Sequence, residues 1–140
     1  MLIGEYELRV DHKGRIAIPA RLREEFRGGV VVSRGFDKCL IVYTVPEWAK
    51  VAERLASMPL TRLNSRRIGR LVFSGAFDLT LDRQGRVLLP PILRQYAAID
   101  DEAVLIGVHS HLQIWSRDLW TAEKRFMVEN AAEISEAVET

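Results

Sequence analysis

Two five-residue patterns hold the chain's candidate chemistry: Asp11-His12-Lys13-Gly14-Arg15 and Asp82-Arg83-Gln84-Gly85-Arg86. Each places Asp first and Gly fourth, the residue order of a tight turn, so Asp11, Gly14, Asp82 and Gly85 are assigned to building the turn. The arginine that follows has two possible uses. It can pair with the Asp as a clamp inside the turn, or it can project from the turn and hold guanine O6 and N7 in a bidentate fork. Lys13 at the tip suits a phosphate oxygen. Lys13, Arg15, Arg83 and Arg86 are therefore the candidate nucleic-acid contacts. Catalysis fits these residues poorly. Asp11 and Asp82 could be imagined as a carboxylate pair, but an adjacent arginine keeps each ionised rather than poised for proton transfer. The sequence shows no phosphate-cradling glycine loop, nucleophile elbow or metal motif. His109-Ser110-His111 lacks third and fourth ligands nearby, and Cys39 reads as a small core residue in an apolar strand. No cofactor or metal is expected.

The elements that must position these turns are themselves duplicated. With Gly4–Arg23 set beneath Gly75–Arg94, a shift of 71, eight of twenty positions are identical, among them Asp11/Asp82, Gly14/Gly85, Arg15/Arg86, Pro19/Pro90 and Arg23/Arg94. With one extra residue in the second copy the match resumes at Gly35/Gly107, Leu40/Leu112, Tyr43/Trp115 and Trp48/Trp120. Tyr6, Leu8 and Val10 alternate with polar residues as a half-buried strand does, and so do Phe77, Leu79 and Leu81. A second short strand follows each turn, Arg15–Ile18 and Arg86–Leu89. Pro19 and Pro90 then start short helices. Val30–Ser33 with Cys39–Tyr43, and Val104–Ile106 with Leu112–Trp115, read as further strand pairs. The division is 5–48 for the first module, 49–75 for a helical connector, 76–120 for the second module and 121–140 for an acidic C-terminal helix or tail. The connector reads as two helices broken at Met58-Pro59, and the span Asp118–Glu139 as one amphipathic helix. Arg62, Arg66 and Arg70 line one face of the connector, where they could track phosphates, face solvent or pair with the acidic tail.

A module of about 45 residues buries too little surface to stand alone, so the two copies should pack on each other as an intrachain pseudo-dimer. The whole chain is α+β, 140 residues with 48% hydrophobic and 28% charged residues, values of an ordinary globular protein. Its net charge of +1 hides a strong polarity: residues 1–60 balance at +2, 61–95 at +5 and 96–140 at −6. A basic middle can present a nucleic-acid surface despite the small total. The single cysteine points to a reducing, cytosolic setting, the acidic Glu5 argues against a signal peptide, and no apolar run is long enough for a membrane span.

The doubled Asp-x-x-Gly-Arg pattern, followed by three apolar-leaning residues, Pro and a Leu-Arg helix, resembles the MraZ family of bacterial regulators. The residues that carry the likeness are Asp11–Pro19 with Leu22-Arg23 and Asp82–Pro90 with Leu93-Arg94, supported by Pro46-Glu47-Trp48 and the run from Arg66-Arg67 to Gly75. It covers about residues 2–120. The resemblance implies tandem AbrB/SpoVT-type swapped-hairpin modules. It also implies a cytoplasmic, nucleoid-associated transcriptional regulator, a repressor of the division and cell-wall gene cluster. On this reading, ring-like homo-oligomers bind direct repeats upstream of that cluster, with no membrane and no small-molecule substrate involved. Gln84 in place of the first copy's Lys13 leaves two readings of the second turn: a weaker DNA contact, or a role mainly in assembly. Two rival readings carry different tests: an interaction scaffold, in which Arg15 is a structural clamp, and an antitoxin-like module, which would co-purify with a small partner chain.

Overall fold

The computed structural model describes residues 1–139. Strand β1 (Leu2–Arg9) leads through the first turn to β2 (Arg15–Ala17), and a 3-10 helix follows at Ala20–Phe26. Strands β3 (Val30–Arg34) and β4 (Leu40–Thr44) come next, then helices α1 (Val45–Ala56) and α2 (Leu63–Ser74). The second copy repeats the order as β5 (Phe77–Leu79), β6 (Arg86–Leu88), α3 (Pro91–Tyr96), β7 (Glu102–His109) and β8 (Leu112–Ser116). It ends with α4 (Arg117–Glu129) and α5 (Ala131–Glu139). Local chemistry sets the helix starts. The Thr44 and Ser116 hydroxyls accept from the backbone N–H of Glu47 and Leu119, capping α1 and α4. Pro19 and Pro90 open their helices with φ near −55°, the angle proline imposes.

The two strands flanking each turn do not pair with each other; they enter different sheets. β1 crosses to the second copy and pairs antiparallel with β7, while β5 crosses back to β3. The result is a six-stranded antiparallel sheet in the order β1-β7-β8-β4-β3-β5. β2 and β6 form a separate two-stranded ribbon. Both central registers map onto themselves when the copies are exchanged. In the ribbon, Arg15 faces Leu88 and Ala17 faces Arg86, with Ile16 opposite Val87. In the sheet, Leu40 faces Ile114 and Val42 faces Leu112, with Ile41 opposite Gln113. One pseudo-twofold axis therefore passes through the Ile16/Val87 and Ile41/Gln113 pairs, and the chain is a pseudo-dimer with exchanged strands.

The core lies between the ribbon and the sheet and draws on both copies. Ile16, Ile18, Val87 and Leu89 are all at most 1% exposed and pack with Leu22, Phe26, Leu93, Val30, Leu105 and Ile114. Burying each such side chain contributes about 1.5–3 kcal/mol. A second cluster holds Cys39, Val104, Trp115 and Trp120, and the two indoles meet at 5.5 Å. Burial pushes the Cys39 thiol up to about 11, which suits an inert core residue.

The short helix expected at Ala20–Phe26 is of the 3-10 type, opened by the Leu22 N–H bond to the Pro19 carbonyl at 2.9 Å. One local expectation is revised. The acidic C-terminal span is two helices, because α4 ends at Asn130, whose side chain bonds the Phe126 carbonyl at 2.9 Å. Within α4 only Trp120 is buried; Phe126 is exposed, and so is Val138 in α5.

Candidate nucleic-acid interface

The two turns are built alike, atom for atom. Asp11 Oδ1 accepts the backbone N–H groups of Lys13 and Arg15, each at 2.9 Å, and Oδ2 accepts Arg15 Nε at 2.7 Å. Asp82 repeats this with the N–H groups of Gln84 and Arg86 at 2.9 Å and Arg86 Nε at 2.8 Å. The Gly14 and Gly85 N–H groups close the turns onto the Asp11 and Asp82 carbonyls at 2.9 and 3.0 Å. These bonds stabilise the ionised carboxylates. The Arg15 backbone N–H, reinforced by its side chain, holds the Asp11 carboxyl down at about 2. The Arg86 backbone and side chain likewise lower Asp82. Because each arginine is held through Nε, its two terminal amino groups lie at the outer end of a fixed side chain.

Gly14 and Gly85 adopt φ of +86° and +73°, a region that disfavours residues with a Cβ. Both are nonetheless buried, and what covers them comes from the opposite copy. A Cβ on Gly14 would lie 2.9 Å from Arg94 Cζ, and a Cβ on Gly85 would collide with the Arg23 side chain. Arg23 is anchored by Nε to its own copy's Ile18 carbonyl at 2.6 Å, and Arg94 to Leu89 at 3.1 Å. The backbone completes the exchange: Ile18 N–H bonds Gly85 O at 2.9 Å, and Leu89 N–H bonds Gly14 O at 3.0 Å. Each turn is thus fixed by the other module. The sequence by itself assigns Arg23 and Arg94 no positioning role. Their only signal there is the Leu-Arg repeated at the same offset in both copies.

Between the turns lies the ribbon. Residues directly opposite, and residues two apart on one strand, share a face, so Arg15, Ala17, Arg86 and Leu88 form one patch. Ile16 and Val87 occupy the buried reverse side, while Ala17 and Leu88 are exposed. Arg15 and Arg86 are diagonal neighbours, which sets their backbones about 7–8 Å apart. Their side chains remain 23% and 31% exposed. The exposed tip residues Lys13 and Arg83 stand at opposite ends of the ribbon, because each turn abuts the far end of the other strand. Asp11 and Asp82 are separated in the same way and are each committed to a turn, so they do not form an acid–base pair.

The other candidate residues lie elsewhere. Arg66 Nη1 bonds the Leu60 carbonyl at 2.7 Å, and α2 packs mainly on α1 and β3. Arg67 and Arg70 are exposed on that helix, and Arg62 is exposed just before its first turn. His111 lies beside the Tyr43 ring at 5.9 Å and contacts Gln113 at 3.3 Å, and burial lowers its pKa. Among the described residues no group of three or more His, Cys, Asp or Glu side chains is placed to hold a metal ion.

The fold and the ribbon define a class: a tandem α+β chain of two strand-exchanged modules, with an arginine-bearing ribbon at their junction. The family model described as "MraZ protein, putative antitoxin-like" matches the chain twice, over residues 1–71 and 72–139. The Transcriptional regulator MraZ of Herpetosiphon aurantiacus is 45% identical over 138 residues, 99% of this chain and 96% of that one. The Thermomicrobium roseum protein of the same name is 41% identical over 140 residues, 100% and 99% of the two chains. That of Moorella thermoacetica is 48% identical over 120 residues, 86% and 84%. The chain belongs to the MraZ family. It is a transcriptional regulator and not an enzyme.

Proposed function

We propose that the chain is a DNA-binding repressor that acts through the β2–β6 ribbon and its two turns. The observation that carries this reading is the single outer face bearing Arg15 and Arg86, each fixed through Nε by a carboxylate and so presented without a large loss of side-chain freedom. A two-stranded ribbon fits the major groove, where an arginine fork reads guanine. The diagonal spacing of about 7–8 Å corresponds to about two base steps of 3.4 Å. Lys13 and Arg83 at the ribbon's ends serve the flanking phosphates.

The family resemblance extends the proposal. The target is a set of direct repeats upstream of the division and cell-wall gene cluster, and the protein works in the cytoplasm at the nucleoid. The binding unit is a ring-like homo-oligomer. A head-to-tail contact that closes presents the same ribbon in the same sense around its rim, which suits direct repeats. Neighbouring subunits on successive repeats add weak contacts through effective concentration. Among the described residues no helix is long and apolar enough to cross a membrane.

Fluorescence anisotropy on the DNA upstream of the protein's own gene tests this, with intact and repeat-scrambled duplexes across a salt series. Tighter binding to the intact repeats with a steep salt slope is expected. Equal binding to both duplexes contradicts sequence-specific repression.

A further inference from the structure

The pseudo-twofold axis relates Arg15 to Arg86, but it does not relate the residues beside them by chemistry. Ala17 of β2 has Leu88 as its counterpart in β6, and at the tips His12 and Lys13 correspond to Arg83 and Gln84. On the ribbon's outer face, Leu88 is 53% exposed, directly opposite Arg15 and two residues from Arg86. Its neighbours Val87 and Leu89 are buried at 1% and 0%. The register therefore turns Leu88 away from the core, onto the one face where both clamped arginines stand.

We propose that Leu88 is a base-reading residue: it packs against a thymine 5-methyl group in the major groove, beside the bases held by Arg15 and Arg86. The inference rests on the proposed DNA binding and goes beyond it by assigning base readout to an apolar side chain. In the major groove only thymine offers a methyl, and apolar side chains recognise it by contact. The arginines supply guanine readout and Leu88 supplies thymine readout within the same few base steps. Ala17, at the symmetry-related place, presents a single methyl and reaches less far from the ribbon than Leu88, so the two positions offer unequal apolar contacts. The face is thus symmetric in its arginines and asymmetric in its apolar reader, so each chain distinguishes the two directions along the duplex. A module pair with matched side chains would read a palindrome. Leu88 adds a base-reading asymmetry to the tip differences, His12-Lys13 against Arg83-Gln84, and so helps make the reading unit a directional one, as direct repeats require.

The test is a cycle between protein and DNA, read by fluorescence anisotropy. Wild type and Leu88→Ala are each titrated against the upstream duplex and against the same duplex carrying deoxyuridine in place of thymidine, which removes only the 5-methyl groups. Circular dichroism melting and light scattering confirm that Leu88→Ala keeps fold and mass, as its exposure predicts. Wild type is expected to lose about fourfold in affinity on the uracil duplex for each methyl it contacts. Leu88→Ala is expected to start several-fold weaker on the natural duplex and to lose little more on the uracil one. Single thymine-to-uracil changes should place the wild-type loss toward one end of each repeat. A wild-type loss that persists unchanged in Leu88→Ala overturns the inference. So does the absence of any wild-type loss, or a loss shared equally by both ends of the repeat. Those three results leave DNA binding standing. Failure of wild type to prefer intact over scrambled repeats removes the repressor reading and this inference together.

Discussion

At the residue scale, Asp11 is the hub of the first turn, since one carboxylate orders two backbone N–H groups and the Arg15 side chain. Its folded pKa of about 2 lies below its ordinary 3.8, so the sign of the linkage is set. The contribution is fully present above about pH 4 and is lost as the pH falls through about 2. NMR titration of the Asp11 carboxyl carbon should show a midpoint near 2 in wild type and one raised only part of the way to 3.8 in Arg15→Ala, which keeps the two backbone N–H bonds and loses the side-chain one. Gly85→Ala is expected to destabilise the fold by at least about 1 kcal/mol in urea unfolding, since a Cβ must adopt positive φ and displace Arg23. The turn itself is legible in the sequence because Asp and Gly act on neighbours within four residues. The arginine that covers each glycine is not, because Arg23 and Gly85 meet only once the two copies have exchanged strands.

At the element scale, the ribbon has one strand from each copy, and β1 and β5 are each seated in the other copy's half of the sheet. A fragment of residues 1–71 therefore lacks the partners of β1 and β2. Size-exclusion chromatography with light scattering should find it as a self-paired dimer or as aggregate, and a stable folded monomer would contradict the exchange. Alternation, turn residues and the helix-opening prolines make the strands and helices legible. Their pairing is a different matter. β1 meets β7 about a hundred residues away, and a period of two identifies a strand without naming its neighbour. The break at Asn130 is missed for a local reason, since asparagine within an amphipathic pattern ends a helix only where its side chain turns back on the Phe126 carbonyl.

At the scale of the whole molecule, duplication, exchange and asymmetry act together. The repeat supplies two equal turns, the exchange locks them to one another through Arg23 and Arg94, and the ribbon brings Arg15 and Arg86 onto one face. The net charge of +1 says little about this arrangement, because the acidic excess is concentrated in the last 45 residues. The measurement that bears most directly on the central claim compares Arg15→Ala with wild type in two readouts on the same samples: affinity for the upstream repeats and oligomer mass by light scattering. With Arg15 at the DNA, affinity should fall by about tenfold to a hundredfold, the cost of one bidentate base contact, while mass and circular dichroism stay unchanged. Wild-type affinity in the variant, or loss of assembly in place of loss of DNA, would show that Arg15 serves only as a clamp.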